Sequence, residues 1–246
     1  MNPAPRCSVC FPTFDHAPLL VRTLESIFAQ HPPFEFEVIV TDDGSTDETP
    51  AVLSRYPQIR LMTLPRKENW RSPSVPFNIA LRQARGQIII WHTDDIIHGS
   101  GDTIERLCNS LKPRQYVVAA CKAVKPTEGQ SPSLWPIAFS HDGWYIHSKH
   151  RRLPHTFLGA YWRQDIYAVG GMDERFISYG FDDDWLETRL ARHGIQPEWH
   201  DEILGYHQDH RTDNRQDMAQ SRELYEHLCA EGKFTSDTGP WPYEPT

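Results

Sequence analysis

Apolar positions along the first half of the chain follow two alternating periods. The run "CSVCF" reads as a strand, and from Pro18 to about Ala29 a helical period places Leu20, Leu24, Ile27 and Phe28 on one face. Pro18 suits the first turn of that helix. A second strand, "FEVIV", leads to a helix from about Thr46 to Tyr56, before which Ser45 and Glu48 have the spacing of a capping box. "IRLMTL" predicts a short strand, Ser74 to Arg85 a helix closed by Gly86, and "QIIIW" a strand directly behind it. A helix over Asp102 to Leu111 and a strand "YVVAAC" complete the series. Repeated βα units of this kind predict an α/β fold, with a mostly parallel sheet flanked by helices.

Beyond about Ala123 the periodicity fades. "KPTEGQSPSLWPIAFSHDGWYIHSKHRRLPHTF" reads as long loops shaping a binding surface, because it is too aromatic for a solvated linker. Helices are expected near Gln164 to Val169, from about Asp183 to His193 before Gly194, and from about Asp217 to Ala230, with Met218, Ser221, Tyr225 and Leu228 on one side of the last. The tail "TSDTGPWPYEPT" is expected to be extended. A chain of 246 residues can bury one large core, so a single domain is expected, divided into subdomains 1–123 and 124–246.

Charge and cysteine usage narrow the classes of function. Lys and Arg total 25 against 33 Asp and Glu, with no basic face in the pattern, which disfavours nucleic acid as a partner. The five cysteines are odd in number and scattered, as expected of reduced thiols in a cytoplasmic protein. Cys7 and Cys10 imitate a redox or zinc pair, but an offset of three on a strand puts them on opposite faces. The opening "MNPAPRCSVC" lacks the apolar stretch of a signal peptide, and no run reaches the length of a membrane span. Peripheral attachment to a membrane stays open.

Candidate chemistry collects where strands end. Ligands of open parallel sheets bind outside the carboxyl ends of the strands, and here three such ends turn polar: Phe11-Pro12-Thr13, Thr41-Asp42-Asp43-Gly44 and His92-Thr93-Asp94-Asp95. No G-x-G-x-x-G marks a dinucleotide site. Carboxylates placed where a phosphate should bind make chemical sense with a divalent cation between them. Turn formation is the plain alternative for Asp42 and Asp43, and capping for Asp94 and Asp95.

The blocks "CSVCFPTFDHAPLLVRTLESIFAQ", "EVIVTDDGSTDETP" and "ARGQIIIWHTDD" resemble, in this order, those of family 2 glycosyltransferases, enzymes of GT-A fold, related to the Rossmann fold, that use nucleotide-activated sugars. "GGMDERFISYGFDDDWLETRLARHG" is similar to the acceptor-side block of inverting galactosyl- and N-acetylgalactosaminyl-transferases. The resemblance implies that Pro12, Thr13 and Asp43 line the nucleoside pocket, supported by Asp42. It sets His92-Thr93-Asp94 on the family's Asp-x-Asp, with Asp94 as ligand of Mn²⁺ or Mg²⁺, and His92 in place of the aspartate that faces the ribose. Thr93 and Asp95 then adjoin the donor, Asp95 taking over part of the missing carboxylate's role. Asn78 matches a residue of the sugar or phosphate site, to which Arg71 and Arg82 are near in sequence, and His207, ahead of His210, would complete the metal site.

By the same resemblance Asp183 is the base that takes the acceptor's proton and Asp182 holds an acceptor hydroxyl, both on a helix N-terminus that favours negative charge. Trp135, Trp144, Tyr145 and Trp162 are candidate platforms for a sugar, or ordinary packing residues. The implied activity is a metal-dependent inverting transfer from a nucleotide-sugar, a UDP-sugar first, to a hydroxyl of a glycan or glycolipid. A non-catalytic nucleotide- or carbohydrate-binding relative is the competing expectation, motivated by His92; a nucleotidyltransferase is disfavoured by the lack of a Gly-rich basic loop.

Overall fold

A computed structural model describes residues 4–66, 71–124, 145–150, 152, 157–178, 180–208 and 218–244. Trp135, Trp144, the Tyr145 side chain and His210 lie outside the described residues. The elements run β1 (Cys7–Thr13), α1 (Ala17–Phe28), β2 (Phe36–Asp42), α2 (Thr49–Leu53), β3 (Ile59–Thr63), α3 (Ser74–Arg82), β4 (Ile88–His92), β5 (Ile96–His98), α4 (Thr103–Ser110) and β6 (Gln115–Val124). Then follow β7 (Tyr145–His147), β8 (Leu158–Trp162), α5 (Arg163–Val169), α6 (Asp182–Arg192), β9 (Gln196–Gln208) and α7 (Ala219–Glu231).

One mixed sheet has the order β3-β2-β1-β4-β8-β6-β9-β5, with β7 beside β6. The first four strands are parallel, β8 runs antiparallel to both β4 and β6, and β9 pairs with β6 in parallel. The sheet continues without a break across the expected subdomain boundary, which falls at the end of β6. Alternation along each strand separates two cores. Cys7, Val9 and Phe11 join Leu20 and Leu24 of α1 and Leu107 of α4 on one side. Cys10, Ile89 and Trp91 join Phe77 and Leu81 of α3, Ile166 of α5 and Leu190 of α6 on the other. The two cysteines thus face opposite layers, as their spacing predicts, and both thiols are free.

Strand β5 follows β4 after three residues yet lies four strand positions away in the sheet. Four interstrand steps would span about 19 Å in a flat sheet, whereas four residues of chain reach at most about 14 Å. The sheet therefore curls until its last edge approaches β4. Gly205 of β9 shows how close the strands come: a Cβ there would lie 3.1 Å from Ile96 of β5 and 3.3 Å from Leu158 of β8. The turn Thr93–Asp95 clasps the two parts together.

The helical expectations hold to within a few residues except at α2. That helix begins at Thr49, with Pro50 in its first turn, and no side chain caps it. Ser45 and Glu48 do not form the capping box. Instead Asp15 Oδ1 takes the Thr46 and Asp47 N–H groups at 2.6 and 3.2 Å, Ser45 Oγ accepts from Asp15 N at 3.0 Å, and Asp47 Oδ2 accepts from Ala17 N at 3.0 Å. The donors that a helix would have used are spent on joining the β1–α1 and β2–α2 loops. Four strands the sequence pattern did not predict, β5, β7, β8 and β9, join the predicted β6 in the second half of the sheet.

Candidate active site

Parallel register sets Thr13 beside Asp42 at the ends of β1 and β2, and the end of β4 stands next to β1. The polar residues at the three strand ends therefore occupy one edge. Thr13 Oγ1 donates to Asp94 Oδ2 at 2.7 Å. His16 Nδ1 lies 3.1 Å from both Asp94 oxygens, and this bond raises the His16 imidazole to about 9 against the opposing cost of burial. At neutral pH a cation thus rests on Asp94.

Asp95 faces the other way along the turn. Its Oδ1 accepts from Thr93 Oγ1 at 2.6 Å, and its Oδ2 lies 3.0 Å from His207 Nε2 on β9. Both aspartates are largely buried, at 8% and 7% exposed. Their backbone is held as well: Thr23 Oγ1 donates to the Asp94 carbonyl at 2.9 Å, and Gln208 N to that of Asp95 at 3.0 Å. The turn is consequently fixed from α1 and β9, neither of which adjoins it in sequence.

The remaining expected residues fall into distinct positions. Asp43 forms an ion pair with the buried Arg71, which also donates to the Pro65 carbonyl at 2.9 Å, and Asp43 N extends the β1–β2 ladder to Thr13 O at 2.9 Å. Asp42 Oδ1 accepts from Ser45 N at 2.9 Å, the turn contact that "DDGS" suggests. Pro12 is half-buried at the end of β1.

His92 is not placed to touch a ribose. It is fully buried, with Nδ1 2.6 Å from the Thr93 carbonyl and Nε2 3.0 Å from Nε2 of the equally buried His98. A carbonyl only accepts, so His92 Nδ1 carries the proton and its Nε2 accepts from His98. Burial pulls His92 down to about 4, which keeps that neutral tautomer at pH 7. A histidine can follow a buried strand here because its ring supports the turn from beneath.

Asn78 is likewise a support. Its side chain is buried, accepting from Met172 N at 2.8 Å and donating to Met172 O and Glu174 Oε1 at 2.9 Å each. Arg82 stacks on Trp241, 4.3 Å from the ring centre. Trp162 donates to the Lys112 carbonyl at 3.0 Å, at the end of the sheet opposite the aspartates, so it is no platform for a sugar there.

Asp182, Asp183 and Asp184 form the first turn of α6, half-buried. The last turn of this helix adjoins the start of β6, where Arg114 donates to the His193 carbonyl at 2.6 Å. Eleven residues of helix extend about 16 Å, and Leu186 and Leu190 pack it along the sheet. Its first turn therefore points toward the edge that carries Asp94. Phe181 at φ 65 and Gly180 at φ 82, both left-handed, turn the chain into it.

Sequence reasoning missed His16, Gln208, Thr23 and His98. His16 had one signal, a titratable residue just ahead of a helix that starts at a strand end. Gln208 had none.

This fold is that of sugar-transferring enzymes of the GT-A type. The family model "Glycosyl transferase family 2" matches residues 8–169, and the chain belongs to that family. It is 22% identical to the uncharacterized glycosyltransferase YfnE of Bacillus subtilis, over 98% of this chain and 76% of that protein. It is 27% identical to validoxylamine A glucosyltransferase of Streptomyces hygroscopicus, over 78% of this chain and 52% of that one. Among solved structures, a mannosyltransferase from Pyrobaculum calidifontis, in complex with GDP-Man and Mn²⁺, superposes with a TM-score of 0.62 at 20% identity, covering 94% of this chain and 65% of that one. Staphylococcus aureus TarS with UDP-GlcNAc gives 0.63 at 17% identity, covering 94% and 67%.

Among the described residues no group of three or more His, Cys, Asp and Glu side chains converges as a metal site, and no helix is long and apolar enough to cross a membrane. A hard divalent cation that is shared with substrate phosphates needs only one or two protein carboxylates. The Asp94 carboxylate, at the strand-end edge beside Thr13, is of the type that fits an ion of that kind, held jointly with a diphosphate.

Proposed function

We propose that this glycosyltransferase is metal-dependent and inverting, and that it moves a sugar from a nucleotide-sugar, a UDP-sugar first, to a hydroxyl of a glycan or glycolipid. The observation that carries this reading is the aspartate pair on the clasped turn, with the Asp94 carboxylate gathered by Thr13 and His16 at the common edge of β1, β2 and β4. Support for the donor class comes from the two structural neighbours, one with GDP-Man and Mn²⁺ and one with UDP-GlcNAc.

Asp43 and Pro12 would line the nucleoside pocket, while Asp94 and His207 would hold the cation and Asp95 would adjoin the donor. Bound Mn²⁺ or Mg²⁺ supplies charge neutralisation to the departing diphosphate. Asp183 takes the proton from the acceptor hydroxyl as that oxygen bonds to the anomeric carbon, whose bond to the diphosphate oxygen breaks on the opposite face. Asp182 orients the acceptor.

Calorimetric titration of UDP and GDP into the wild type and Asp94→Ala, with and without Mn²⁺, tests the donor half. Metal-dependent binding of one nucleotide that is lost in the variant is expected. Binding indifferent to both metal and Asp94 would overturn it. For the chemical half, Asp183→Asn should retain nucleotide affinity and lose turnover on the order of 10²–10⁴-fold; equal turnover would remove Asp183 from the mechanism.

A further inference from the structure

We propose that Asn78 is a positioning residue that links the donor-side layer to the first turn of α6, and so sets where Asp182 and Asp183 stand. The inference rests on the reading of Asp183 as the base. Asn78 lies in the middle of α3, fully buried, beneath the turn Gly170–Arg175 that joins α5 to the segment before α6. Its carboxamide meets both the N–H and the C=O of Met172, as a neighbouring strand would. The partners fix the amide's orientation, since Oδ1 must face the N–H and Nδ2 the carbonyl. Aspartate cannot replace it, because it has no donor for the Met172 carbonyl or for Glu174 Oε1.

The turn so gripped is crowded on every side. Gly171 has φ +63, and a Cβ there would fall 2.5 Å from Asn78 Oδ1 and 2.2 Å from the Trp241 ring. Arg189 of α6 reaches back to the carbonyls of Val169 and Gly171, at 2.5 and 2.7 Å. One residue past Met172, the fully buried Asp173 accepts from Trp185 Nε1 at 2.9 Å, and Trp185 N donates to the Phe181 carbonyl at 3.0 Å. Position therefore passes from Asn78 to Met172 and Asp173, then to Trp185, which directly follows the three aspartates. Geometric errors of about 1 Å relayed to a reacting group lower rates by up to about 100-fold.

Amide hydrogen exchange on the full chain tests the relay without any substrate. Asn78→Asp should speed exchange in both 171–175 and 181–186 while β1 and β4 remain protected, which also shows that the variant folds. Trp185→Phe, which loses the indole donor and part of the ring but keeps a buried aromatic, should release 181–186 and leave 171–175 protected. Glu174→Gln added to Asn78→Asp should restore part of the protection, because the new amide can donate to the new carboxylate. Release of 171–175 without 181–186 in Asn78→Asp, or no restoration by Glu174→Gln, overturns the proposal.

Turnover separates the positioning role from a contact with the donor. With nucleoside diphosphate release from UDP-GlcNAc or GDP-mannose in Mn²⁺, Asn78→Asp should lower kcat by about 10–100-fold with the donor KM unchanged. A raised KM with unchanged exchange would assign Asn78 to the sugar site instead. Undiminished turnover in Asp183→Asn would remove the base reading alone and leave the exchange results standing.

Discussion

At pH 7 His16 carries its proton and His92 does not, although both support the same turn. The bond to Asp94 lifts His16 from 6.5 to about 9, and burial drops His92 from 6.5 to about 4. The signs of their contributions to stability are opposite. For His16 the native state binds the proton more tightly, so its contribution is complete below pH 6.5 and is lost as pH rises through 9. For His92 the unfolded chain takes up the proton first, so stability falls as pH drops from 6.5 toward 4. Thermal unfolding of the metal-free protein across this range should show a maximum near the middle, and His16→Gln should flatten the alkaline limb. An alkaline limb unchanged in that variant would refute the assignment. Because the His16 side chain is 34% exposed, solvent screening makes the effect modest.

Single residues also divide by how readable they were. Asp42, Asp43 and Asp94 end apolar runs, and an apolar strand that stops on carboxylates is visible without a structure. His92 was visible but misassigned, since nothing local reveals that its ring turns inward to His98. Gln208 reaches the turn through β9, and no spacing in the sequence connects the two.

Among elements, α1, α3, α4 and α6 were legible because their apolar residues recur at helical spacing on one buried face. Strand β9 was not: its sequence "QPEWHDEILGYHQ" is mostly half-buried, and an irregularity between its pairings with Ala119 and Ala120 breaks the period of two. The α2 region failed for a different reason, competition for donors. Asp15, at φ 49, supplies the carboxylate that draws Thr46 and Asp47 N–H away from a helix. Asp15→Asn keeps both the acceptor and the tolerance for that φ, so it should be near neutral. Asp15→Ala loses both and should cost about 1–2 kcal/mol, as read by urea unfolding. Equal stability of the two variants would refute the role given to Asp15.

In the whole molecule the C-terminal segment joins the catalytic layer. Trp241 is 9% exposed, its N donates to the Tyr167 carbonyl at 2.8 Å, and its ring lies against Gly171 and Arg82. Trp241→Ala should cost about 3–5 kcal/mol, as measured by denaturant titration. It should also speed amide exchange in 171–175, because the ring covers that turn. A stability loss confined to the tail, with the turn still protected, would show that the segment is an independent appendage.

The clasp at Thr93–Asp95 also has a meaning in time. Residues of β1, β2 and β4 are made early and can pair locally, but β5, among the described residues, pairs with β9, through Ile96 and His207, far along the chain. Pairing across so long a loop forms late, after shorter loops have closed. A growing or refolding chain would therefore own every strand of the donor layer before it could hold a nucleotide. Competence to bind should emerge with the slowest refolding phase, so that incomplete molecules cannot sequester the donor.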